Sequence, residues 1–128
     1  MNHVPSQVEC ITPVLPVANL RRSIQFYTRT LGFKLEWGHG EHDTVCGVSR
    51  DGCSLMLLQA IKGDTSRSWV WIGVEDDSLF DDWRRQGVKI WQEPRNMPWA
   101  YEMKFEDLDG NVLWLGTGPR QDIPLVEA

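Results

Sequence analysis

The sequence has 128 residues, of which 41% are hydrophobic and 24% charged, as in an ordinary globular protein of about one domain. Its formal net charge of -5 argues against a nucleic-acid partner, because binding phosphates requires a basic surface. Its apolar stretches are all shorter than the roughly 20 residues that span a bilayer, which argues against a membrane partner.

The first half of the chain predicts one βαβββ unit. Residues 10–17 are rich in β-branched side chains and predict a strand at a free edge, because prolines donate no ladder hydrogen bond. Asn19 is a favourable N-cap for a helix that ends at Gly32 and buries a stripe of apolar side chains, Leu20, Ile24, Tyr27 and Leu31. A polar loop and an Asp-Gly hairpin then connect three strands, at residues 33–37, 44–50 and 53–59.

The second half repeats this order of elements after a polar linker at residues 61–67. We expect Asp76 or Asp77 to cap a helix at residues 78–86, which buries Leu79, Phe80 and Trp83. The predicted strands are residues 68–74, 88–91, 101–107 and 111–117. The turn Asp109-Gly110 then matches the turn Asp51-Gly52, and the strands after the two turns align.

The predicted fold is α+β, with two βαβββ modules forming a curved mixed sheet in a single domain of residues 1–128. The modules cover about residues 8–60 and about residues 67–118. A unit of about 60 residues is too small to bury a secure core alone, so the two must pack on each other within one chain or across a dimer.

Strand alternation divides the side chains between two faces, because residues two apart point the same way. One set is aliphatic and predicts a core under the helices: Leu55, Leu57, Val70, Ile72, Val74, Leu113 and Leu115. The other set predicts a concave face of aromatic and soft side chains: Thr12, Met56, Trp69, Trp71 and Trp114. A chain with seven tryptophans, several of them on one such face, is expected to use them for binding.

Three segments, residues 12–20, 31–33 and 107–111, resemble the vicinal oxygen chelate superfamily, which includes glyoxalase I, extradiol dioxygenases and bleomycin resistance proteins. The resemblance implies a metal site built from the first and last strands of each module, with His, Gln or Glu as ligands. The matching positions hold Thr12, Met56, Trp69 and Trp114. Because indole offers neither imidazole nor carboxylate donors to a divalent ion, we predict no metal and no cofactor.

Finer matches, including residues 69–72 and 98–102, resemble the bleomycin resistance proteins, which bind their drug at a dimer interface without a metal. This resemblance implies a homodimer with paired or swapped modules. The ligand-binding positions that it implies are Phe33, Trp37, Trp69, Trp71, Trp99, Tyr101, Glu102 and Trp114.

The predicted function is metal-independent sequestration of a flat, cationic aromatic small molecule, as in bleomycin-type resistance. Apart from the resemblance, tryptophans favour such ligands through stacking and cation–π attraction. Glu102, Glu41 and Asp43 could hold a positive group, whereas Trp91 and some strand tryptophans could instead fill a dimer interface. Three cysteines without a close pair, and an amino terminus without a signal-peptide pattern, predict a cytoplasmic location.

Two other functions stay open. A metal-dependent lyase, isomerase or dioxygenase of the same superfamily would need an atypical metal site, for which His39 and His42 with Glu41 and Asp43 form the only histidine and carboxylate cluster. A structural or regulatory dimer would use the aromatic groove for a partner peptide. The sequence has no evident Ser/His/Asp or Cys/His arrangement, so no catalytic residue is predicted.

Overall fold

The computed structural model describes residue 4 and residues 6–126. The first module consists of β1 (Val14–Val17), α1 (Leu20–Gln25), β2 (Lys34–Trp37), β3 (Val45–Arg50) and β4 (Cys53–Gln59). The second consists of β5 (Trp69–Gly73), α2 (Ser78–Arg85), β6 (Lys89–Asn96), β7 (Tyr101–Glu106) and β8 (Val112–Thr117).

The two modules have the same sheet topology. Each forms a four-stranded mixed sheet, in the order β1-β4-β3-β2 and β5-β8-β7-β6. The first strand of each module runs parallel to the last, and the remaining pairs are antiparallel. The predicted α+β fold of two βαβββ units is therefore confirmed.

Local sequence signals set the helix boundaries. The Asn19 side chain accepts a hydrogen bond from the Arg22 backbone N–H at 3.0 Å, which confirms it as the N-cap of α1. The predicted helix changes character after Gln25 and continues as a π-helical turn at Phe26–Thr30. At the start of α2, Asp76 rather than Asp77 accepts a hydrogen bond from the Ser78 N–H. No helix in the described part of the chain is long and apolar enough to cross a membrane.

Two edge strands differ from their predicted lengths. Strand β1 begins only at Val14, and it pairs with β4 alone, as the prolines indicated. Strand β6 was predicted to end at Trp91 but continues to Asn96. It accommodates Pro94 because it is an edge strand and because its register with β7 shifts between Gln92 and Arg95.

A shared core joins the two modules. The core includes Leu57 and Val48 of the first module with Leu113 and Phe105 of the second, and Trp83 is buried in it as predicted. The whole aliphatic set predicted from alternation lies in this core or packs against it.

Buried polar contacts also cross between the modules. The Tyr27 hydroxyl donates to the Asp107 carboxylate at 2.8 Å, and the Asn111 side-chain amide donates to the Pro16 carbonyl at 2.8 Å. The Trp83 indole N–H donates to the Leu31 carbonyl at 3.3 Å. These contacts fix the second sheet relative to the first, because a shift of one sheet would leave buried polar groups without hydrogen-bond partners.

Candidate ligand-binding face

The second sheet carries its core on one side and a group of tryptophans on the other. Alternation along β5 and β8 places Trp69, Trp71 and Trp114 on this outer side, as predicted. We call this surface the tryptophan face and define it by eight residues: Trp69, Trp71, Trp91, Gln92, Trp99, Glu102, Lys104 and Trp114.

Much of this aromatic surface is open to a ligand. Trp69, Trp71 and Trp91 are 51%, 47% and 48% exposed, and Trp99 is 56% exposed. Exposed apolar patches of this kind usually mark an interaction site.

The indoles hold one another in edge-to-face contacts. The ring centroids of Trp91 and Trp69 are 4.9 Å apart, those of Trp69 and Trp114 are 6.3 Å apart, and those of Trp114 and Trp71 are 5.1 Å apart, with the rings nearly perpendicular in each pair. Contacts of this kind contribute about 0.5–1.5 kcal/mol each beyond simple burial. The indoles therefore form a chain that orders the surface before any ligand arrives.

A glycine supports one end of the chain of indoles. The Trp71 ring lies directly over Gly116 of β8, and a Cβ atom at that position would overlap the ring. The first sheet contains a similar pair, in which the Trp37 ring covers Gly47 of β3. Both glycines are needed for close approach of a ring to the sheet rather than for a turn.

The buried carboxylate of Glu102 holds Trp114, inside the chain of indoles, together with Trp99. Glu102 is only 2% exposed, and its two oxygens accept the indole N–H groups of Trp99 at 2.8 Å and Trp114 at 3.0 Å. The Lys104 ammonium lies 3.1 Å away, and the Gln92 amide donates at 3.3 Å. Four donor groups of the protein thus contact the Glu102 carboxylate, and its hydrogen bonds orient Trp99 and Trp114.

The ionised form of Glu102 is favoured by these partners. Burial alone raises the pKa of the carboxyl group, but the hydrogen bonds from Lys104 and Trp99 and the positive charge of Lys104 outweigh it. The pKa of Glu102 therefore lies below its ordinary value. The tryptophan face is built around an internal ion pair.

The other predicted binding residues lie elsewhere. Tyr101 points to the core side, where its ring stacks on Phe80 at 5.5 Å. Phe33 contacts Tyr27 and lines an apolar cavity of about 260 Å³ between the modules, which Trp71 of the tryptophan face also lines. Trp37 lies on the first sheet and is 44% exposed.

The four positions that correspond to metal ligands in the resemblance separate into two pairs. Thr12 and Met56 line a recess of about 160 Å³ on the first sheet, whereas Trp69 and Trp114 contact each other on the second. A hydroxyl, a thioether and two indoles do not fit the donor set of a hard or borderline divalent ion. Across residue 4 and residues 6–126, no three His, Cys, Asp or Glu side chains are grouped to hold a metal, and this range includes the loop with His39 and His42.

Sequence reasoning did not assign Trp91, Gln92 or Lys104 to the site. Lys104 shares a face with Glu102 by simple alternation along β7, so the strand pattern alone contained this signal. Trp91 and Gln92 are consecutive, yet both reach the tryptophan face because the register of β6 shifts between Ile90 and Gln92. A bulge of this kind gives no clear sequence signal.

The model of the Glyoxalase/Bleomycin resistance protein/Dioxygenase superfamily matches residues 7–115 of the chain. The chain belongs to this superfamily. The match covers both βαβββ modules and every strand except the end of β8. A search of curated proteins found no match.

Solved structures of the superfamily share the fold. TnmS3, an antibiotic binding protein from Streptomyces sp. CB03234, is 25% identical, with a TM-score of 0.74 over 89% of this chain and 99% of that one. A glyoxalase/bleomycin resistance protein from the same organism is 28% identical, with a TM-score of 0.66 over 80% and 95%. The bleomycin-binding protein from bleomycin-producing Streptomyces verticillus, complexed with copper(II)-bleomycin, is 23% identical, with a TM-score of 0.71 over 88% and 99%.

Proposed function

We propose that the chain binds and sequesters a flat aromatic small molecule on the tryptophan face without using a metal. The observation that carries this proposal is the set of half-exposed indoles, Trp69, Trp71, Trp91 and Trp99, supported by the buried Glu102. An open, ordered aromatic surface suits the stacking of a planar ring system.

The free energy gained by burying ring surface indicates how many indoles a ligand must contact. Burying about 150 Å² of ring surface contributes roughly 4 kcal/mol at 25 cal/mol per Å². Micromolar affinity requires about 8 kcal/mol after the costs of association. A ligand that contacts a single indole would therefore bind weakly, and we expect the natural ligand to cover at least two of them.

Relatives in the superfamily support an antibiotic as the ligand. Two structural neighbours are an antibiotic binding protein and a bleomycin-binding protein. We propose a bleomycin-type ligand, whose flat rings stack on the tryptophan face and whose positive groups extend past it toward carboxylates such as Glu41 and Asp43, both of which are exposed.

We extend the proposal to a cytoplasmic homodimer. Trp37, Thr12 and Met56 lie apart from the tryptophan face within one chain, and Trp37 is exposed. A second copy could place its first sheet opposite the tryptophan face and complete a groove. The cysteines Cys10, Cys46 and Cys53 are free, which is compatible with a reducing compartment.

Calorimetric titration of the purified chain with metal-free bleomycin tests the proposal. We expect binding at micromolar ligand, and a loss of at least about tenfold in affinity for Trp71→Leu. Leu108→Ala, which removes an exposed apolar side chain in the turn before β8, is the control and leaves affinity unchanged. Trp37→Leu, on the first sheet, lowers affinity only if a second copy completes the groove. Absence of heat and of fluorescence quenching at micromolar bleomycin would refute the bleomycin assignment.

A further inference from the structure

The tryptophan face already contains a cation. The Lys104 ammonium lies 4.9 Å from the ring centroid of Trp114, 5.3 Å from that of Trp91 and 5.8 Å from that of Trp69. Such distances are those of cation–π contacts. An aromatic cluster of this kind would attract a cationic ligand, but here the Lys104 side chain already fills that place. We call these three indoles around Lys104 the lysine cage.

Lys104 is held firmly in the lysine cage. Its ammonium is paired with Glu102 at 3.1 Å and donates to the Gln92 side-chain oxygen at 2.9 Å, and its side chain is 12% exposed. A ligand that displaced this ammonium would leave the buried Glu102 carboxylate short of its charged partner. Removing one member of a buried ion pair is strongly unfavourable, so Lys104 stays in place when a ligand binds.

A second positive charge in the lysine cage would therefore compete with Lys104 for the same three indoles and for the same carboxylate. Glu102 neutralises Lys104 but is itself fully engaged by the indole N–H groups of Trp99 and Trp114 and by Gln92. The three indoles likewise already have a cation–π partner in Lys104. The attraction that tryptophans usually offer to a cationic ring is thus removed at this location.

We propose that Lys104 is a specificity-determining residue that makes the tryptophan face select uncharged ring systems and reject positively charged ones. This inference rests on the proposed function and deepens it. The stacked part of the ligand is a neutral planar ring, and any positive charge is confined to groups that reach beyond the tryptophans. This preference is opposite to the one that the tryptophan content alone predicts.

Acridine and N-methylacridinium provide a direct test, because they have nearly the same shape but only the second is positively charged at pH 7.5. Each is titrated into the full chain and followed by calorimetry. We expect the chain to bind acridine on the order of tenfold more tightly, since a positive ring beside the Lys104 ammonium is repelled even with substantial screening. In Lys104→Met the preference is lost or reversed.

The matched control is Lys62→Met, which removes the same charge from an exposed position in the linker and leaves the preference unchanged. Lys104→Gln is a second variant, which removes the charge and keeps a hydrogen-bonding group beside Glu102. Should both Lys104 variants fail to fold, the comparison of the two probes on the unmodified chain still decides.

Equal or tighter binding of N-methylacridinium by the unmodified chain would overturn the inference and leave the proposed function standing. So would a folded Lys104→Met that keeps the full preference for acridine. If neither probe binds the unmodified chain or the variants at millimolar concentration, the proposed function fails and the inference fails with it. A preference for acridine that disappears only when Lys104 is replaced supports both.

Discussion

The indole N–H of Trp99 donates to the Glu102 carboxylate at 2.8 Å. Trp99 lies just before β7, and Glu102 is the second residue of that strand. The same carboxylate accepts the indole N–H of Trp114 from the neighbouring strand β8 at 3.0 Å. One buried charge thus orients two tryptophans from different segments. We therefore expect the order of the tryptophan face to depend on this carboxylate.

Glu102→Gln is expected to destabilise the fold by about 1–3 kcal/mol, because it removes the charge that Lys104 and two indole N–H groups require. Denaturant unfolding measures this change. The matched control is Glu93→Gln, an exposed carboxylate of β6 paired with Arg84, for which we expect little effect. Similar losses for the two variants would contradict the structural role of Glu102.

The contribution of Glu102 is expected to depend on pH. Its pKa in the folded chain is below the ordinary value, so its stabilising effect is fully present above the unfolded pKa of about 4.3 and is lost as pH falls through the folded pKa. The difference in unfolding free energy between the unmodified chain and Glu102→Gln should be constant near neutral pH and shrink in acid. A difference that grows as pH falls would contradict the sign of the shift.

Gly116→Ala is expected to displace the Trp71 ring, because the added Cβ overlaps it, and to weaken ligand binding. Overpacking of this kind costs about 1–3 kcal/mol of stability. Gly118→Ala, just after the end of β8, is the matched control, since nothing lies within 4 Å of the Cβ that it would add. Near-ultraviolet circular dichroism and bleomycin titration measure the two effects. An unchanged near-ultraviolet spectrum in Gly116→Ala would contradict the close contact between Gly116 and the Trp71 ring.

Tyr27→Phe is expected to destabilise the fold by about 1–2 kcal/mol without changing ligand affinity, because it removes the hydroxyl that donates to the buried Asp107 between the modules. Tyr101→Phe is the control, since within the described residues the Tyr101 hydroxyl has no hydrogen bond and its ring packs on Phe80. Thermal unfolding separates the two variants. Equal thermal unfolding midpoints for the two variants would contradict a stabilising role of the Tyr27 hydrogen bond between the modules.

Much of the fold could be predicted from the sequence because its signals are local and repeated. Asn19 caps a helix through its own side chain, and the turns Asp51-Gly52 and Asp109-Gly110 fix the hairpins before β4 and β8. The alternation of side chains along β8 correctly placed Leu113 in the core and Trp114 on the opposite face of the sheet.

Parts of the candidate site depended on features that alternation does not reveal. Gln92 reaches the tryptophan face beside Trp91 because β6 is bulged between Ile90 and Gln92. Tyr101, which the resemblance implied, lies one residue before Glu102 on β7, so its ring lies on the core side against Phe80. Glu102 was one of three carboxylates that could hold a ligand's positive group, and the Lys104 ammonium lies 3.1 Å from it. The strand register and the side-chain pairings between distant segments decide which residues reach the tryptophan face, and the sequence pattern does not show them.

The central claim is that a flat aromatic ligand binds on the tryptophan face, and the most direct test observes the indole N–H signals of the seven tryptophans by ¹H–¹⁵N NMR during titration with metal-free bleomycin. The account predicts that the signals of Trp69, Trp71, Trp91 and Trp99 shift or broaden with ligand, while that of the buried Trp83 stays unchanged. Saturating ligand that leaves the tryptophan-face signals unmoved, or perturbs only Trp37 and Trp83, would contradict it.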